Sequence, residues 1–113
     1  MSIDYMDWHK VIGPAPPEED GGVWLHDVEV GTQLFVQTKN TLYTIESRTD
    51  GFYISGHPLF CPEPKRVAIT GSTFGGSMIK SGFIGVGMYL EFTCEGQHLP
   101  VTTSRIQSIG ELR

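Results

Sequence analysis

Two pairs of soft ligands stand at matching spacing in this chain, His57-x-x-x-Cys61 and Cys94-x-x-x-His98. Zinc takes four nitrogen or sulfur ligands in a tetrahedron, and two loops can supply two each. The pattern therefore raises a structural zinc held by His57, Cys61, Cys94 and His98. The competing reading is packing: Cys94 also falls on an alternating apolar face, and free cysteines commonly behave as small buried hydrophobes. Nucleophilic chemistry has less behind it. His57 lies four residues from Cys61, but no third group is placed to orient the pair, and a reactive thiolate needs a cation or a helix N-terminus beside it.

A second candidate is the stretch Gly71 to Gly87, where six of seventeen residues are glycine. Successive backbone N–H groups at Gly75, Gly76 and Ser77, with Lys80 nearby, could cup an anion. The segment is not a phosphate-binding P-loop, because Ile79 stands where the glycine before the lysine belongs. Gly85-Val-Gly87 is not a dinucleotide fingerprint either, since Leu90 takes the place of the third glycine. The alternative is architectural: glycines beside a strand pattern mark bends, bulges and close approaches of backbone.

The elements that must position these residues read as strands. Gln33 to Thr38 alternates, Lys39-Asn40 is a turn, and Thr41 to Arg48 is rich in β-branched and aromatic residues. Asp50-Gly51 predicts a two-residue type I′ hairpin leading into Phe52 to Ser55. Prolines at 58, 62 and 64 make 57–64 a loop, and Arg66 to Thr70 is a short strand. Ile84, Val86, Met88, Leu90, Phe92 and Cys94 occupy every second position, the clearest strand signal in the chain. Glu95-Gly96-Gln97 is a turn and His98 to Arg105 the next strand. Ile106 and Ile109 are three apart, which suits one helical turn or a strand end. About six short strands separated by turn residues predict an all-β fold, a small antiparallel barrel of SH3-like or similar type.

At 113 residues the chain is one domain by length. Its charge is uneven. Residues 1–30 hold seven acids against Lys10, whereas residues 31–113 hold seven bases and six acids. We read residues 1–29 as an acidic, Pro/Gly-rich leader, with a weak helix signal over Ser2–Val11, and residues 30–113 as the barrel. Neither part has the basic balance that nucleic-acid phosphates require, although Tyr43, Phe52, Tyr53 and Tyr89 could form a stacking surface. The acidic start and the glycine-broken apolar runs provide no secretory signal and no membrane span. The expectation is a cytoplasmic chain with reduced cysteines.

The stretches Val30-Gly-Thr32, Thr38-Lys-Asn-Thr-Leu-Tyr43, Gly71-Ser-Thr-Phe-Gly-Gly-Ser77 and Thr103-Ser-Arg105 resemble a small bacterial all-β domain family of unknown function. The resemblance runs from about Val30 to Ile109. It implies a compact β body and carries no activity, ligand or catalytic residue.

The body holds nine Phe and Tyr residues, more than one small interior can hide. We therefore expect a non-catalytic interaction module that needs no cofactor and associates with itself or another protein. Trp8, Trp24, Phe74 and Phe83 are its expected contact residues. The alternatives are a ligand-binding or catalytic domain using the Gly71–Lys80 loop and His57, and a single-stranded nucleic-acid binder.

Overall fold

The computed structural model describes residues 21–59, 61–75 and 78–113. The helix expected over Ser2–Val11 lies outside them. In chain order the elements are β1 (Gly22–Trp24), a 3-10 turn (Leu25–Asp27), β2 (Gln33–Thr38), β3 (Leu42–Arg48), β4 (Gly51–Ser55), β5 (Lys65–Gly75), β6 (Met78–Ser81), β7 (Phe83–Gly85), β8 (Tyr89–Cys94) and β9 (Val101–Leu112). Strands β2, β3, β4, β5, β8 and β9 pair antiparallel in that order, and β9 returns to β2, so the sheet closes into the expected barrel.

Period-two patterning fills the lumen. Leu34 and Val36 from β2, Tyr43 and Ile45 from β3, Ile54 from β4, Val67 from β5, Leu90, Phe92 and Cys94 from β8, and Ile106 and Ile109 from β9 form one buried cluster. A six-stranded barrel is narrow enough for side chains to fill it completely. Each large apolar side chain removed from water contributes about 1.5–3 kcal/mol.

The strands depart from the sequence reading where the sheet has to bend. The β3–β4 hairpin is not a type I′ turn over Asp50-Gly51. Arg48 pairs with Gly51, so the loop is Thr49-Asp50, and no described non-glycine residue has a positive φ. Gly51 alone takes the left-handed side, at φ 136°, and Arg66 fastens the turn by donating from Nε and Nη2 to the Asp50 carbonyl at 2.9 and 2.6 Å. The run expected as one strand from Ile84 to Cys94 is two, β7 and β8. Between them Met88 N–H donates back to Gly85 O at 3.1 Å, and Gly87 sits at φ 89°. The glycine segment expected as a loop is largely strand, because β5 runs on to Gly75 and turns back as β6.

The tail is strand throughout, and the spacing of Ile106 and Ile109 comes from a bulge. Thr38 opposes Ile106 and Gln37 opposes Ser108, which leaves Gln107 as the extra residue. A bulge shifts the pleat by one, so two residues three apart both face the lumen. Further register shifts occur between Ile69 and Gly71 and between Tyr89 and Glu91. Each adds local twist, which closure of so few strands demands.

Part of the segment read as leader packs on the barrel. Residues Gly22, Val23 and Trp24 pair with Gly85, Ile84 and Phe83, and Val23, Leu25 and Val28 pack on the core. This segment lies along β7 against the core.

Gly71 is the tightest point. A Cβ there would lie 2.1 Å from the Lys80 carbonyl oxygen, at φ +143°, whereas one on Gly96, at φ +86°, would meet open space. Gly96→Ala carries only the backbone cost, about 1–3 kcal/mol. Gly71→Ala is expected to lose clearly more in urea unfolding, because β5 and β6 must also separate. Equal losses in the two variants would contradict that packing.

Candidate functional site

The β5–β6 hairpin carries Phe74, Gly75 and Lys80 of the residues that the sequence singled out. Gly71 pairs with Ser81, Ser72 with Lys80, and Gly75 with Met78, with a register shift along the ladder. Ser72 anchors its base. Its fully buried hydroxyl donates to Phe83 O at 2.6 Å and accepts from Gly85 N at 3.2 Å, tying β5 to β7. Thr73 shapes the tip, with Oγ1 donating to the Met78 carbonyl and accepting from Gly75 N–H at 2.9 Å. These bonds leave Phe74 60% and Met78 80% exposed on the protrusion.

Of the expected anion cup, Gly75 and Lys80 are described, and each has another partner. The Gly75 N–H is already bonded to Thr73. The Lys80 ammonium is turned toward aromatic rings, 5.4 Å from the Trp24 ring centre and 4.9 Å from that of Phe83. Such distances give a cation–π attraction that holds the charge over the β1–β7 pair. Gly76 and Ser77, the other members of the expected cup, lie outside the described residues.

The four expected contact residues separate. Phe74 is at the surface. Phe83 is fully buried, which corrects its reading as a contact residue: it lies beneath Trp24, with ring centres 4.8 Å apart. Trp24 is docked on it and partly exposed. Trp8 lies outside the described residues.

The two loops of the His/Cys pattern do meet. Leu59 from one, and Gln97 and Leu99 from the other, line a shared depression with Cys94. The expected ligand set does not form, however. Cys61 and Cys94 both belong to the buried core, His98 is exposed, and Nδ1 of His57 accepts the Leu59 N–H at 3.0 Å. Among the described residues no three His, Cys, Asp or Glu side chains converge as a metal site. The reason is local folding. Gly56 N–H bonds Cys61 O at 2.8 Å and Cys61 N–H bonds His57 O at 3.0 Å, so the loop curls and places Cys61 in the core. Burial pushes the Cys61 thiol above its ordinary pKa, only partly offset by a backbone hydrogen bond from His57. A raised thiol pKa opposes the thiolate that nucleophilic catalysis needs.

A feature the sequence reading missed lies on the outer face of β8 and β9. Tyr89 pairs with Arg105, and the guanidinium stands over the phenol ring at 5.4 Å and donates to Tyr89 Oη at 3.2 Å. Lys39 joins them because its N–H donates to the Arg105 carbonyl at 3.0 Å. With Ser104, Ile106 and the bulged Gln107 they line a depression of about 370 Å³. Register alone unites these residues. Of these residues the sequence offered only Tyr89, as one of four aromatic residues for a stacking surface.

No protein-family model, curated protein or solved structure matches the chain. Among the described residues no helix is long and apolar enough to cross a membrane.

The raised thiol pKa fixes the sign of a pH effect. The folded state keeps Cys61 protonated to higher pH than the unfolded chain does. Its contribution is therefore fully present below the unfolded pKa, near pH 8.5, and is lost as pH rises through the folded value. Stability should fall more steeply above about pH 8.5 in the native chain than in Cys61→Ala. Parallel pH profiles would show that burial does not perturb this thiol.

Proposed function

We propose that this chain is a non-catalytic binding module that self-associates through the β5–β6 hairpin. The observation that carries the reading is the exposure of Phe74 and Met78 on a protrusion that the barrel core cannot reach. Apolar side chains grouped on a projecting element favour contact with another surface. Among the described residues β6 is paired on one side only, by β5, so its outer edge offers main-chain donors and acceptors. A second copy is a natural partner for such an edge. Two antiparallel β6 strands related by a two-fold axis make equivalent contacts.

The rest of the molecule favours binding over catalysis in this reading. The cysteines are free and buried, and the Lys80 ammonium lies over the Trp24 and Phe83 rings. Free thiols also suit a reducing compartment, so a cytoplasmic location belongs to the same proposal.

The test is native mass spectrometry and light scattering of the native chain beside a Phe74→Ser/Met78→Ser double variant. The native chain is expected to exceed the monomer mass in a concentration-dependent way. The variant should be monomeric while keeping its stability within about 0.5 kcal/mol, as exposed substitutions usually do. A native chain that stays monomeric at every concentration would rule out self-association. A variant that assembles as before would move the contact away from the hairpin.

A further inference from the structure

The basic depression beside Tyr89 points to a second contact. Arg48 pairs with Glu46 at 2.8 Å, Arg66 with Glu95 at 3.4 Å and Asp50 at 4.0 Å, and Arg113 with Glu111 at 2.7 Å and Glu29 at 3.9 Å. Among the described residues Lys39, Lys65 and Arg105 have no carboxylate partner, and of these Lys39 and Arg105 share one depression. Both are exposed, and a backbone hydrogen bond holds their two segments side by side.

Arg105 is also oriented in advance. Its stacking on Tyr89 and its bond to the phenol oxygen fix one edge of the guanidinium. A guanidinium donates through a planar fork, which matches a carboxylate. Gln107 adds an amide at the bulge, where a residue loses its ladder partner. The Tyr89 ring gives the same depression apolar surface.

We propose that this depression binds an extended acidic segment of a partner protein, with carboxylates meeting Lys39 and Arg105 and the adjoining methylenes lying on Tyr89. The mixed lining argues for a side-chain carboxylate over a bare inorganic anion, which would use the cations alone. The polarity of the wider face fits as well. Tyr89 also borders a neighbouring depression that contains Glu91, Thr102 and Phe74. Glu91 disfavours a second acidic residue there, and Phe74 favours an apolar one. The segment would thus run with its acids toward Arg105 and an apolar residue toward Phe74.

The experiment is an amide NMR titration of the full chain carrying Glu18→Gln, Glu19→Gln and Asp20→Asn, so that its own acidic run does not compete. The probe is a capped Pro-Pro-Glu-Glu-Asp-Gly-Gly peptide, run beside its Gln-Gln-Asn counterpart and beside inorganic phosphate. The expected result is saturable shifts at the amides of Lys39, Tyr89, Arg105 and Gln107 with the acidic peptide. Lys39→Gln/Arg105→Gln should weaken binding at least about tenfold, from the loss of charge-assisted hydrogen bonds. Arg105→Lys, which keeps the charge but not the fork, should fall between. Phe74→Ser/Met78→Ser should still bind the acidic residues, which separates this inference from self-association. Four results would each overturn it: no shifts at those amides, unchanged affinity in the double glutamine variant, equal binding of the neutral peptide, or saturation by phosphate at lower concentration than the peptide.

Discussion

The molecule is organised by the way one strand, β5, divides its pairing. Its start closes the barrel against β4, where Lys65, Arg66 and Val67 oppose Ile54, Tyr53 and Phe52. Its later half has left that seam and pairs with β6 on the same side, while β8 continues along the other edge. An eleven-residue strand is long for a barrel this small. The excess length becomes the protruding hairpin. The switch falls at Thr70 and Gly71, where the register shifts and the Lys80 carbonyl comes close to the backbone. Only a residue without a Cβ fits there, so the closed sheet and its projection both depend on that glycine.

Side chains then fasten the regions that the switch separates. Ser72 reaches from β5 to β7 with its only polar atom, and both of its roles, donor and acceptor, are used inside the core. A buried hydroxyl left unsatisfied would be costly, so this pair of bonds is specific as well as favourable. Thr38 does similar work, donating to Thr41 O at 2.9 Å and accepting from Thr41 N–H and the Ser104 hydroxyl at 3.0 Å. That network joins the β2–β3 turn to β9 and sets Lys39 beside Arg105. The basic depression is thus a by-product of how the turn is fixed.

Much of the architecture could be read from alternation. The segments that became β2, β3 and β8 place Leu34 and Val36, Tyr43 and Ile45, and Leu90, Phe92 and Cys94 at every second position, because one face of each meets the lumen. The reading failed wherever a bulge or a glycine broke that rhythm. Ile106 and Ile109 look helical until the unpaired Gln107 is counted. Met88 continues the pattern of β8 but sits in a turn after Gly87. Thr49 took the place expected of Gly51 in the hairpin loop because Arg66, distant in sequence, caps the Asp50 carbonyl. The site was legible in part. Exposed Phe74 follows from an excess of aromatic residues, whereas Phe83 was hidden by Trp24, a neighbour that only strand pairing reveals. Spacing suggested a shared ligand set for the two cysteines, and the curled loop from Gly56 to Cys61 gave them to the core instead.

The divided strand also separates two kinds of sequence constraint. Residues before Gly71 are held by alternation within the barrel, while those around the tip answer to local turn chemistry and to whatever they touch. A lengthened or exchanged tip would leave the lumen untouched. The fold can therefore serve as a scaffold on which new recognition loops are grafted, with specificity evolving at one end of a strand while the other keeps the architecture fixed.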